Sequence, residues 1–584
     1  MTFRHHPWAL SAFVASALAG GFQLATGCSA APTNTFHTGG SGGSTSTSSA
    51  TGQGGDIGIG IDGGLGGSSS SGGVPQTCAD ALKNRSYIGC EYWPTVTSNA
   101  GLYESFEFAV AAANPTGSPA MVTVERNGNM VAQVTVQPGG LETISLPWVD
   151  ELKGFDTVGD GSGIGSVFSK KGAYKLSSSV PITLWQFNPL EFQLATTPSD
   201  CPNAADLGGC FSFTNDASIL LPTTALRNEY YVMSYPTMHL GQVDPFFGDT
   251  SWINLPGFVA ITATEDNTQV TVESTANVRA GSGVAALSSG QTGTFKLNAG
   301  DVLQLTTASG PASQTPQPGK PCQEDPLQSV VYCPSAATLD LTGSHIVSDK
   351  PVSVIGGHDC TFIPFNKYAC DHIEESLFPV ETLGKDLIVT APKTVDSVTQ
   401  SPGQADNMFV RVLSAADNNE ITFDPPVAAK TTLQKGKWVE IGPITQDFRV
   451  MATDRIMVGQ YMVGENFGSV AASAGDPSLS IAIPTEQYRV EYTFLAPSTY
   501  TYNVVNVVTK TGANITIDGA TIPQSEFVAI GSSGMSVARH LISGGTHKMV
   551  GSANFGIVVY GYGSYTSYMY PGGLNLETVV IVPQ

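Results

Sequence analysis

A recurring phrase, in which two extended runs each end in proline, restricts this chain to an architecture of repeated small β-sheet units. The two prolines stand thirteen or fourteen residues apart in three copies. The copies are Ser218-Ile-Leu-Leu-Pro222 with Tyr231-Val-Met-Ser-Tyr-Pro236, Ser376-Leu-Phe-Pro379 with Leu387-Ile-Val-Thr-Ala-Pro392, and Ile481-Ala-Ile-Pro484 with Tyr492-Thr-Phe-Leu-Ala-Pro497. Proline has no N–H for a ladder, so each copy marks the end of a strand. A second phrase closes each unit: Tyr174-Lys-Leu-Ser-Ser-Ser-Val-Pro181-Ile-Thr-Leu, His345-Ile-Val-Ser-Asp-Lys-Pro351-Val-Ser-Val, and weaker copies over 449–458 and 548–558. Self-similarity of this kind means one supersecondary unit used several times.

Between the phrases the pattern is short Val/Ile/Thr/Tyr-rich runs broken by Gly, Pro, Asn and Asp. Residues 121–136 alternate around Asn127-Gly128, and 515–522 around Asp518-Gly519, both signals of two-residue hairpin turns. The spacing predicts an all-β body of tandem β-sandwich-like modules in four repeat units: 77–210, 211–370, 371–475 and 476–584. The alternative is a β-propeller with two blades per unit, because blades use about 40–50 residues. The second unit is longest, its excess lying in a Pro/Gly/Gln-rich loop around Thr307–Gln328.

Charged residues make up 13% of the chain, and Lys+Arg 26 against Asp+Glu 48 leaves a net charge of −22. Such a balance lacks the positive field that phosphate backbones require, which excludes nucleic acid as a partner. The N-terminal segment reads as an address. Arg4 precedes an uncharged apolar stretch from Trp8 to Ala25, the layout of a signal peptide over 1–27. Leu24-Ala25-Thr26-Gly27-Cys28 is similar to a bacterial lipobox, with Cys28 as the lipidated residue and a membrane as partner through that lipid. Ser29–Gln76 is almost entirely Gly, Ser, Thr and Ala without Lys or Arg, a disordered linker completing 28–76. Its reach would be roughly 40 Å. The expectation is export and lipid anchoring, at the outer membrane or cell surface of a Gram-negative bacterium.

Of nine cysteines, setting Cys28 aside leaves eight in four close pairs: Cys78 and Cys90, Cys201 and Cys210, Cys322 and Cys333, Cys360 and Cys370. Local disulfides are the economical reading in an exported chain. None of the pairs has the two-to-four-residue spacing of a zinc knuckle.

Catalytic motifs are sparse. No HExxH, nucleophile elbow, phosphate-binding loop or EF-hand loop occurs, and no cofactor is expected. The Gly-rich segment Asp156–Gly163 holds two carboxylates, too few for Ca²⁺, and reads as a solvated turn. One cluster offers an alternative. A Cys360–Cys370 bond would bring His358 and Asp359 toward His372, and two imidazoles with a carboxylate could hold a metal or move protons. The bland counterpart is a stapled loop with hydrogen-bonded histidines. Tyr562, Tyr565, Tyr568 and Tyr570 form a dense C-terminal group suited to gripping sugar or protein, or to serving as ordinary half-buried strand residues.

Gly356-Gly-His-Asp-Cys360-Thr with Cys370-Asp-His-Ile-Glu-Glu, Pro379 and Gly384-Lys385 resembles the central signature of the IgGFc-binding protein N-terminal domain family. Pro181-Ile-Thr-Leu-Trp-Gln-Phe-Asn-Pro189 and Tyr570-Pro-Gly-Gly-Leu fit it too, so the resemblance spans about 77–584. It implies an exported surface protein without assigned catalysis, in a family named for binding the Fc part of immunoglobulin G. The expected function is adhesion or binding of a protein or glycan ligand. The rivals are an exported metal-dependent enzyme or hydrolase centred on His358 and His372, and a structural envelope or matrix protein.

Overall fold

Each of four modules is built on one unusually long strand: Lys175–Asn188, His345–Thr361, Phe448–Met462 and Gly545–Gly563. The computed structural model describes residues 74–576 except 155–159, 197, 199–200, 202–208, 245–247, 311–320, 397–400 and 468–474. Cys28, the signal segment and nearly all of the linker lie outside the described residues. Gly72–Gln584 form a single unit by their contacts.

The long strands are those of the second sequence phrase, and all four do the same thing. The early half pairs with a hairpin and the late half with another pair of strands, so one strand serves two sets of partners. In the first module Lys175–Ser178 pair with Ala120–Arg126, and Thr183–Phe187 pair with Phe108–Ala113. Pro181 stands between the halves, where a missing N–H is tolerated.

An incoming strand marks the bend at the same point every time. Gly89 faces Ile182 but Glu91 faces Ser177. Arg227 and Glu229 face Val352 and Val347, Gly384 and Asp386 face Ile456 and Met451, and Arg489 and Glu491 face Phe555 and Val550. The resulting gap leaves a backbone N–H on one strand and a carbonyl on the other. In three modules a tyrosine hydroxyl fills it. Tyr92 accepts from Gly89 N–H and donates to the Ile182 carbonyl, Tyr230 bridges Arg227 and Val352, and Tyr492 bridges Arg489 and Phe555. The third module has Leu387 at that place. Burial raises the Tyr92, Tyr230 and Tyr492 phenols, keeping the donor proton in place.

A short outgoing strand then pairs with the late half of each long strand: Asp216–Leu220, Asp371–Ser376, Leu479–Ile481 and Thr566–Pro571. Hydrogen bonding assigns the first three to the sheet of the long strand before them. The four outgoing strands pack in cyclic order, with Asp371–Ser376 also touching Thr566–Pro571 across the middle, so the modules close on a common centre. Closure is completed where the N- and C-terminal ends of the described body meet. Tyr87 N–H donates to the Leu574 carbonyl, and Leu576 N–H to the Arg85 carbonyl. One long bent strand per module, with different partners on its two halves, fits the sandwich-like modules expected from the sequence.

Between the second and third modules, Arg411 is enclosed by aromatic rings. Its guanidinium lies 4.4 Å from the Tyr235 ring centre and 4.3 Å from that of Trp438. It pairs with Asp340 and Glu440, both at 2.9 Å, and donates to the Ser234 carbonyl. Nε and Nη1 meet acceptors while aromatic rings stand over the planar group, an arrangement that a lysine could not reproduce. All four disulfides join the neighbouring cysteines, 78–90, 201–210, 322–333 and 360–370.

The tyrosine bridge has a measurable cost of removal. Tyr230→Phe keeps the ring but orphans the Arg227 N–H and the Val352 carbonyl, and is expected to lower stability by about 1–3 kcal/mol. A urea midpoint unchanged from wild type would show that the hydroxyl carries none of the bend.

Candidate functional site

The centre of the ring is polar and closed to solvent. Asp216 opens the first outgoing strand, and its carboxylate accepts from all three others. Oδ1 takes Ser478 Oγ at 2.6 Å and Met569 N at 3.3 Å, and Oδ2 takes Glu374 N and Leu479 N, each at 3.0 Å. Asp371 accepts from Asn215 N at 2.6 Å, Thr566 Oγ1 at 3.0 Å and Ser567 N at 3.3 Å. Glu375 accepts from Ser218 Oγ and Ile219 N. Burial pushes all three carboxyls well above the usual range, against the pull of these donors.

His358, Asp359 and His372 sit one layer out and are 0, 1 and 0% exposed. The Cys360–Cys370 bond closes the segment between the long strand and the outgoing strand, as the spacing implied. The side chains, however, go to separate partners. His358 Nε2 lies 3.1 Å from the Pro236 carbonyl oxygen. His372 Nε2 lies 3.4 Å from Glu374 Oε2 while its ring stacks on Phe258. Asp359 accepts from Ser98 Oγ at 2.6 Å and Ala100 N at 3.0 Å. Glu374 also accepts from Gln186 Nε2 at 2.8 Å and from Thr97 Oγ1. Among the described residues no three His, Cys, Asp or Glu side chains form a metal-binding group. His358, Asp359 and His372 thus take the form of the second alternative, a stapled segment with hydrogen-bonded histidines. A disulfide brings backbones together without aiming the side chains beside it.

Of the two readings of the C-terminal tyrosines, their placement follows that of strand residues. Tyr562, Tyr568 and Tyr570 are buried, and Tyr565 is half-buried in a turn at φ 54°. Tyr570 meets Trp185 in a tilted contact at 6.0 Å and Phe187 edge-on at 6.3 Å, and its hydroxyl donates to the Leu495 carbonyl. Tyr568 donates to Asn503 Oδ1 at 2.7 Å. Ser567-Tyr-Met-Tyr-Pro571 is the fourth copy of the outgoing strand, matching Ser218–Pro222 and Ser480–Pro484. Its serine-to-proline spacing was the signal available in the sequence. Asp160 accepts from Ser162 N in a local turn, and Asp156 lies outside the described residues.

The extra length of the second module becomes a separate four-stranded sheet: Met238–Val243, Thr250–Leu255, Gln323–Asp325 and Val330–Cys333. The Cys322–Cys333 bond staples one end of its last hairpin. At the other end, Asp325 accepts from Leu327 N and Gln328 N, fixing the turn, and Leu327 stands 98% exposed. Trp252 is half-buried on the same sheet, its ring 3.1 Å from where a Cβ on Gly241 would sit.

A family model described as IgGFc binding protein matches residues 216–561, more than half of the chain and beginning at Asp216 itself. No curated protein matches. Among solved structures, an anti-sigma factor domain-containing protein from Clostridium clariflavum is 9% identical, over 59% of this chain and 96% of that one, with a TM-score of 0.10. That score carries no structural argument.

Two outcomes follow from the buried centre. Asp216→Asn places an amide among N–H and O–H donors and is expected to cost about 2–4 kcal/mol, read by chemical denaturation. Wild-type stability in that variant would remove Asp216 from its role. His358 is held down to about 3 by burial, against an ordinary value of 6.5. Its contribution is fully present above pH 6.5 and falls as the pH drops toward 3, by up to about 1.4 kcal/mol per unit. The buried carboxylates have raised values and act in the opposite direction, so the test is a difference. His358→Gln should flatten the wild-type loss between pH 6.5 and 4.5, and an identical slope in both proteins would refute the assignment.

Proposed function

The chain belongs to the IgGFc-binding protein family, and we propose that it is an exported, lipid-anchored surface protein that binds a protein ligand without catalysis. The observation that carries the reading is the family model described as IgGFc binding protein, which matches residues 216–561. Leu327, 98% exposed on the stapled turn of the second module and inside the matched span, is the residue chosen to test as a contact. The four disulfides fit an oxidising, exported setting. No helix among the described residues is long and apolar enough to cross a membrane. Attachment is assigned to Cys28 after cleavage, with Ser29–Gln76 as tether and the outer membrane or cell surface as location. The burial of His358, Asp359 and His372 supports a non-catalytic role, because no substrate reaches them.

Purified protein, folded under oxidising conditions, would be tested against immobilised IgG Fc and against envelope proteins of the producing cell. Saturable binding of a protein is expected, weakened roughly tenfold or more by Leu327→Asp with no change in Tm. Cys28→Ser is expected to shift the chain from the membrane to the soluble fraction. Absence of saturable protein binding would overturn the ligand reading, and unchanged partitioning of Cys28→Ser would overturn the anchor.

A further inference from the structure

A cleft of about 290 Å³ lies in the first module, ahead of the family-matched span. One wall is the hairpin turn carrying Arg126, Asn127, Asn129 and Val131, and the other is the turn into the long strand, carrying Lys170 and Lys171. Pro147 and Tyr174 complete the lining. Three cations and no carboxylate line this space, in a chain whose net charge is −22. Among the described residues, none of the three cations is engaged in an ion pair. A concavity lined by one sign of charge focuses the field and draws the opposite charge.

The walls are tied together before any ligand arrives. Arg126 Nε donates to the Lys171 carbonyl at 3.4 Å, and its guanidinium stands 5.6 Å from the Tyr174 ring centre. The Tyr174 hydroxyl donates to the Pro147 carbonyl. Lys171 occupies the left-handed region at φ 52°, with its N–H on Asp301 Oδ1 and its Nζ on the Ala299 carbonyl. A Cβ on Gly172 would lie 2.3 Å from Ser169 Oγ, so the turn admits little rearrangement. Asn127 and Gly128, at φ 51° and 75°, set the opposite turn. A cleft held this way loses little freedom on binding.

The chemistry on offer has three parts. The cations serve an oxyanion, the Asn127 and Asn129 amides both donate and accept, and Val131 (36% exposed) with the exposed Pro147 supplies apolar surface. A small inorganic anion uses only the first. An acidic sugar unit uses all three, through its charged group, its hydroxyls and its C–H face. We propose that this cleft binds an anionic monosaccharide unit of a glycan, recognised by its carboxylate or sulfate. The assignment is independent of the protein ligand proposed for the second module.

The test is isothermal titration of the full chain with trigalacturonic acid, its methyl ester, a sulfated galactose trisaccharide and sodium sulfate. Saturable binding of at least one charged trisaccharide is expected, with weakening in 0.5 M NaCl and no binding of the ester. Affinity should fall roughly tenfold or more in both Arg126→Gln and Lys170→Gln. Lys170 is exposed, so the second variant tests the cleft even where the first disturbs the Tyr174 contact. Binding of trigalacturonate alone supports the carboxylate source, of the sulfated sugar alone the sulfate source, and of both the shared oxyanion chemistry. Four results would overturn the proposal: neither trisaccharide binds, the ester binds equally, inorganic sulfate binds as tightly as the sugars, or Lys170→Gln binds as wild type. Leu327→Asp should leave the titration unchanged, which separates this site from the protein-binding one.

Discussion

Asp216 is the constraint around which the four modules are organised. A single buried carboxylate accepts hydrogen bonds from Glu374, from Ser478 and Leu479, and from Met569, so each of the other outgoing strands donates to the same two oxygens. Such a group is costly to bury unless its lone pairs are filled, and here they are filled only when all four modules are in register. A slip of one outgoing strand by one residue would point its N–H elsewhere and leave the carboxylate under-satisfied. The polar centre thus selects one ring arrangement among the many that apolar packing alone would tolerate. Asp371 and Glu375 extend the same logic outward.

The second constraint is local and repeated. A strand that changes partners along its length bends, and at the bend its ladder breaks between the first and third residues of the incoming strand. Tyr92, Tyr230 and Tyr492 insert a hydroxyl where one backbone hydrogen bond is missing, acting as acceptor to one strand and donor to the other. That the third module manages with Leu387 means the bend comes from the sheets on either side of it. The hydroxyl satisfies the groups the bend leaves exposed.

Much of this was legible because repeats record shared strand roles. The phrases around Pro181 and Pro351 are the bending strands, and those ending at Pro222, Pro379 and Pro484 are the outgoing ones. The cysteine pairing followed from spacing, since residues flanking one turn are the nearest available partners. What failed was the inference from composition to exposure. Tyr562, Tyr568 and Tyr570 look like a gripping surface when counted, yet they are buried on the last long strand and on the fourth outgoing strand beside it. His358 and His372 are near each other in chain and space, but strand alternation and the Pro236 and Glu374 contacts turn their rings apart in purpose. Direction of side chains across a ring closure depends on partners hundreds of residues away, and local sequence does not carry it. Charge was equally uninformative: a net −22 conceals a cleft lined by three cations.

The division between buried centre and outer surface bears on how such a scaffold acquires function. Residues at the centre are coupled through shared hydrogen bonds, so a change at one is felt by three modules, and a ligand site there could not vary without risking closure. Outward turns carry no such burden. The stapled sheet of the second module and the turn pair of the first are attached to rigid strands, yet neither supplies a group to the Asp216 network. Their rigidity comes from local devices: a disulfide and an aspartate-held turn in one, a left-handed lysine and an arginine-to-carbonyl bond in the other. Recognition on this architecture is therefore expected to diverge in its turns and insertions while the centre stays the same. Membership of a binding family would then describe the scaffold more closely than it describes any one ligand.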